Sequence, residues 1–243
     1  MIDTPSNAYG DPDLSPEFPI SPACAGSTSN MRIEMPLNEA LKLANQAFSH
    51  FDSAAARLGT SSSDGSMHLQ CAKGCSSCCH IEVGVSPLEV IAIKSHLEQP
   101  ENRSNIERLK TRIRHSRKAV GELWEKNRKA ARIPCPLLDA SGSCSVYPVR
   151  PIACRAYVSF DRAGCERDWR DPGADHPVAR SETLLELSTA MGPGVVHAHE
   201  RAGLHFWGYE LIRALHIAFS TPDFERKCFS GQDVLAKASM KLT

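Results

Sequence analysis

From Pro36 onward apolar residues recur at helical spacing. Leu37, Leu41, Ala44, Phe48, Phe51, Ala55 and Leu58 are separated by steps of four and three, which puts them on one stripe of a helix. Ser61 to Gly65 then break the pattern. Ile81, Val83 and Val85 alternate, which predicts one short strand. Ser86-Pro87-Leu88-Glu89 follows as a capping box with proline at the first helical position, predicting a helix to about Leu97. A longer helix fits residues 102–132, with Ile106, Leu109, Ile113, Val120 and Trp124 on one side. Residues 133–175 hold five prolines and three glycines without an apolar period, and read as irregular structure. Two helical stretches close the chain. One spans Ser181 to Met191; after Gly192-Pro193-Gly194, the other carries Leu204, Trp207, Leu211, Leu215 and Phe219.

These elements predict a mainly α fold: a helical single domain with cysteine-rich irregular loops, and at most one short strand pair. Residues 1–35 are rich in Pro, Ser, Asn and Asp and read as a disordered tail, residues 36–229 as the domain, and residues 230–243 as a C-terminal tail. The 243 residues are 42% hydrophobic and 23% charged, ordinary for a globular protein. Lys plus Arg and Asp plus Glu each total 28, a balance that argues against a nucleic acid as electrostatic partner. No apolar run approaches the roughly 20 residues that span a bilayer. Met1 to Ile20 lacks the apolar core of a signal peptide, so a cytoplasmic location with reduced thiols is expected.

The compartment matters because there are ten cysteines. Four lie in Cys71-Ala-Lys-Gly-Cys75-Ser-Ser-Cys78-Cys79-His80. Four more, Cys135, Cys144, Cys154 and Cys165, follow at intervals of nine, ten and eleven residues. Two or three residues between cysteines let a loop turn two sulfurs toward one ion, and Gly74 fits such a turn. Cys71, Cys75, Cys78, Cys79, Cys135, Cys144, Cys154 and Cys165 are therefore the expected metal ligands. In an extended chain Cys78 and Cys79 would point apart, leaving three arrangements open: two sites, one multinuclear cluster, or one unused thiol. Lys73, Arg150 and Arg155 lie close in sequence and are expected to offset thiolate charge. His80 is a candidate ligand or a hydrogen-bond donor behind the ligands. Cys24 and Cys228 lie outside both groups and are read as structural.

The same residues carry a family resemblance. Cys71 to Cys79 resembles the opening cluster of a bacterial cysteine-cluster family with a zinc- or iron-chelating domain, some of whose members bear the label iron–sulfur oxidoreductase. Ser86-Pro87-Leu88-Glu89 resembles the start of that family's next helix. Cys135-Pro136-Leu137-Leu138, Gly142-Ser143-Cys144-Ser145-Val146-Tyr147 and Arg150-Pro151-Ile152-Ala153-Cys154-Arg155 resemble its second block, and Cys165 its last cysteine. The likeness covers residues 71–165 and implies metal binding, with an iron–sulfur cluster or zinc as the cofactor. Part of it also resembles the cysteine cluster of flagellin lysine methylases, although this chain looks too short to include the rest of such an enzyme.

Other signals point less far. Cys71, Cys75 and Cys78 have radical-SAM spacing, but Ser77 stands where an aromatic residue is usual and the following chain is helical. His197, His199 and His205 lack the spacing of a helical zinc motif and are expected at the surface or at helix ends. Residues 101–132 hold eleven Lys or Arg against four Glu, which reads as a solvated face. Three readings remain: an iron–sulfur protein with a redox or sensing role and a redox partner; a zinc protein with a structural or interaction role and a protein partner; or a metal-dependent redox or methyl-transfer enzyme.

Overall fold

The helix that follows the capping box organises the molecule. In this computed structural model, residues 36–58, 65, 68–121, 123, 129–174, 176–191, 199, 204 and 208–240 are described. Helix α1 is Leu37–Leu58, β1 Gly84–Val85, α2 Pro87–Leu97, α3 Ile106–Val120, α4 Ile152–Ala156 and α5 Arg162–Arg170. They are followed by α6 Glu182–Ala190, β2 Tyr209–Glu210, α7 Leu211–Ser220 and α8 Phe224–Phe229. The fold is mainly α, as expected. The expected tail and Cys24, the break at 61–64, Trp124, Gly192-Pro193-Gly194, His197, His205 and Trp207 lie outside the described residues.

Ser86 caps α2 in full: its hydroxyl accepts from Glu89 N, and Glu89 Oε2 accepts from Ser86 N at 2.7 Å. Pro87, Leu88, Val90, Ile91, Ala92, Ile93 and Leu97 are all buried, so α2 is enclosed on every side. Each aliphatic side chain buried this way contributes about 1.5–3 kcal/mol. Helices α1 and α7 pack on α2, and α3 packs on α7. The predicted strand is present but short: Gly84 pairs with Glu210 and Val85 with Tyr209 in an antiparallel ladder. That ladder fixes the start of α2 beside the start of α7.

Helix α1 buries Ala40, Ala44, Phe48 and Phe51. Phe48 belongs to the main core, whereas Phe51 joins a smaller one with Ala156, Val158, Leu184 and Met191. The short α4 therefore sits between α1 and α6. Three expectations are corrected here. The helix expected over 102–132 begins at Ile106 and stops at Val120, because Gly121 takes φ 50° and leaves the helical path. Residues 133–175 are not all irregular, since α4 and α5 carry Cys154 and Cys165. The last helical stripe begins at Leu211; Leu204 is buried but outside the helix. Among the described residues no helix is long and apolar enough to cross a membrane.

Candidate metal centre

The two cysteine groups meet backbone to backbone. Cys75 N donates to Ala72 O at 3.0 Å and Cys79 N to Ser76 O at 2.9 Å, so the first group forms two successive turns. Gly74 supplies the left-handed residue of the first turn at φ 85°, as its spacing predicted. Cys135 N then donates to Cys79 O at 2.7 Å, joining the second group to the end of the first. A side chain at Gly142, where φ is 76°, would meet Gly74 O at 3.4 Å. The glycine turns of the two groups thus touch with no side chain between them.

Beyond Cys135 the chain makes a tight hairpin. Asp139 Oδ1 accepts from Ser141 N at 2.8 Å, Ser143 N at 2.9 Å and Ser141 Oγ at 2.7 Å. These bonds, led by the Ser141 hydroxyl, hold the carboxyl below its ordinary value. The hairpin pairs Leu138 with Cys144, and Arg112 of α3 donates to Leu138 O from outside. Helix α4 then delivers Cys154. Glu89 Oε1 accepts from Ile152 N at 2.8 Å, so the buried carboxylate that caps α2 also caps α4. Arg155, buried, donates through Nε to Arg150 O at 2.9 Å and through Nη2 to Pro148 O at 2.6 Å. Its Nη1 reaches Asp52 at 2.5 Å and its guanidinium lies 4.7 Å from the Phe48 ring, tying the loop to α1.

Cys165 comes from α5, whose N-cap Asp161 accepts from Gly164 N at 2.7 Å. Ser159 links it to the first group. Ser159 N donates to Cys71 Sγ at 3.3 Å, and the Ser159 side chain also hydrogen-bonds Cys165. A narrow cleft of about 30 Å³, room for roughly two waters, is lined by Cys71, Cys75, Cys78 and Cys165 together with His80, Trp169 and Arg180. His80 Nδ1 lies 3.2 Å from Ser76 O, and its ring is tilted against Trp169 at 5.6 Å.

Burial pushes the Cys71 and Cys165 thiols up; Cys75 and Cys78 add to both, whereas hydrogen bonds to Ser159 oppose the rise. Burial likewise raises Cys144 and Cys154, and Cys135, Cys78 and Cys144 add to the rise at Cys154. The Cys78 thiol hydrogen-bonds Cys79, which with burial holds it far above the ordinary range. Residues 77–80 form a turn, so the expected extended geometry, with these two side chains pointing apart, is not what the chain adopts. Thiols that raise one another in this way need a cation to ionise together.

The compensating charges are only partly those expected. Arg150 favours the Cys144 thiolate, whereas Arg180 favours Cys78 and Cys165. Arg155 serves the loop and Asp52, and Lys73 acts on Asp139. Arg180 and Lys129, which both line the cleft, carried no signal in the sequence, because each reaches the site from outside the two cysteine groups. His199 is buried rather than at the surface, and its Nε2 accepts from Leu88 N at 3.4 Å in the first turn of α2. Cys228 is buried in the main core and does not line the cleft, and burial drives its thiol to about 12.

The donor set fits a thiophilic ion or cluster. None of the nine described cysteines is in a disulfide, and seven of the eight candidate ligands are half-buried. The indole N–H of Trp169 and Nε of Arg150 are buried and have no hydrogen-bond partner among the described residues, leaving each group a donor for added sulfur or thiolate. As they lie, no three described His, Cys, Asp or Glu side chains form a group that could hold an ion, so ligation has to draw the sulfurs inward. No curated protein and no solved structure matches the chain. Residues 70–172, which contain all eight candidate cysteines, match the family model described as a "putative zinc- or iron-chelating domain". This segment, with its two cysteine groups joined backbone to backbone, is similar to that family of zinc- or iron-chelating domains.

Proposed function

We propose that the protein holds iron–sulfur chemistry on its clustered cysteines and uses it in electron transfer or oxidant sensing. The observation that carries this reading is the gathering of the cysteine loops around the junction of Cys79 and Cys135. An all-thiolate set with surrounding N–H donors suits iron–sulfur ligation, and such donors tune cluster potential. Cys71 is exposed, so a centre bound there lies near the surface, where a redox partner protein can approach. A reducing cytoplasm would keep these cysteines available as thiols. Anaerobic purification tests the proposal: the protein should be brown, carry iron and acid-labile sulfide, and bleach reversibly on reduction.

The small volume of the cleft favours a second reading. About 30 Å³ accommodates one ion more readily than a cluster, which suits a zinc centre that orders the loops for an interaction surface. Colourless protein with stoichiometric zinc and no labile sulfide would establish it in place of the first.

A further inference from the structure

We propose that the cysteines make two adjacent four-thiolate metal sites. One is built from Cys71, Cys75, Cys78 and Cys165, the other from Cys79, Cys135, Cys144 and Cys154. The inference rests on the cysteine-ligated reading above and is indifferent to whether the metal is iron or zinc.

The cleft sorts the ligands. Its walls include the first four cysteines and none of the second four. Ser159 brings Cys71 and Cys165 together across 88 residues of chain from Cys71. The second four are gathered by different bonds: the junction from Cys135 N to Cys79 O, the pairing of Leu138 with Cys144, and the cap from Glu89 onto α4. Cys135 and Cys144 pack against the main core, whereas Val158, in the cleft wall, belongs to the smaller one.

Each group also has its own donor awaiting an acceptor, Trp169 Nε1 in the first and Arg150 Nε beside the second. Each has a cation nearby: Arg180 lines the cleft of the first, and Arg150 precedes Cys154 of the second by four residues. The turn at residues 77–80 carries both Cys78, which lies in the cleft wall, and Cys79, whose carbonyl accepts from Cys135 N, so the two groups meet at this pair. Eight thiolates are twice what a tetrahedral ion takes, so a single mononuclear site would leave four of the eight without a role. The bond from Cys135 N to Cys79 O, next to Cys78, makes the two sites neighbours.

The test is a cobalt(II) titration of the reduced, metal-stripped full-length protein, followed by the thiolate-to-cobalt charge-transfer band. Wild-type protein should saturate at about two ions per chain. Cys165→Ser and Cys144→Ser should each saturate at about one ion, and the double variant at none. The wild-type count needs no variant to fold, and Cys228→Ala serves as a cysteine substitution that leaves both sites intact. Saturation of wild type at one ion, or loss of all binding in both single variants, would overturn the two-site assignment while leaving cysteine ligation standing. Absence of any charge-transfer band in wild type would overturn cysteine ligation itself, and this assignment with it.

Discussion

Replacing Arg155 with methionine probes how the second cysteine block is held. The side chain is 5% exposed and its guanidinium donates to two carbonyls of the loop before Cys154, Arg150 O and Pro148 O. Methionine keeps the aliphatic stem but strands both acceptors, costing about 1–3 kcal/mol each if neither reaches water. Loss of the stacking on Phe48 adds about 0.5–2 kcal/mol. The pair with Asp52, whose side chain is 56% exposed, contributes no more than about 1 kcal/mol. Relief from burying a guanidinium offsets part of this total. The expected net loss is about 2–3 kcal/mol, a fall of about 4–12 °C in Tm for a chain of this length. Thermal melts followed by far-UV circular dichroism measure it, with metal content determined on the same samples. Arg162→Met is the control, because its ion pair with Glu166 is half exposed and should matter by under about 0.5 kcal/mol. If Arg155→Met melts within error of that control, the guanidinium is not what holds the loop.

Four further outcomes are expected. Burial holds the Glu89 carboxyl above the ordinary glutamate range; its contribution is therefore full below the ordinary value and lost as pH rises through the raised one. Glu89→Gln should be about 1–3 kcal/mol less stable, because its amide faces a backbone N–H, and flatter across that pH window; denaturation curves that stay parallel to wild type at every pH would contradict this. Removing metal should speed proteolysis between Cys135 and Cys165 while α7 stays protected, which limited digestion with fragment mass analysis will show. At Gly164 a Cβ would lie 2.3 Å from Asp161 Oδ2; Gly164→Ala should cost about 1–2 kcal/mol by breaking the cap, against Gly173→Ala, where nothing lies within 4 Å. Cys228→Ala should lose about 1 kcal/mol of stability through the small cavity it leaves and no metal, as thermal melts and metal analysis can establish.

Local signals were legible where they are complete within a few residues. The capping box at Ser86 and Glu89, the stripe of α1 and the left-handed turn at Gly74 are all found where the chain predicts them. The end of α3 is not legible, because the apolar period of the sequence runs on to Trp124, past the one glycine at which the helix stops. Helix α5 was hidden by the prolines and glycines around it, although Asp161 and Gly164 form a cap within it. Convergence of the two cysteine groups could be expected from their number and spacing. The neighbours of each thiol could not, since the contacts of Cys71 with Ser159 and of Cys165 with Arg180 depend on how distant segments pack. Glu89 was read as a helix cap; that it caps α4 as well follows from tertiary structure alone.

The long reach from Cys71 to Ser159 has a consequence for synthesis. A ribosome adding about 5–20 residues per second needs about 4–18 s to make the 88 residues that separate them. Throughout that interval Cys71, Cys75, Cys78 and Cys79 are already on the growing chain without the segments that enclose them. A metal ion captured then would find an incomplete shell, and an oxidant would find four thiols within nine residues. Correct loading therefore belongs after translation has passed Cys165, and expression that outpaces the supply of metal or reductant should yield chains cross-linked through the first group rather than the second.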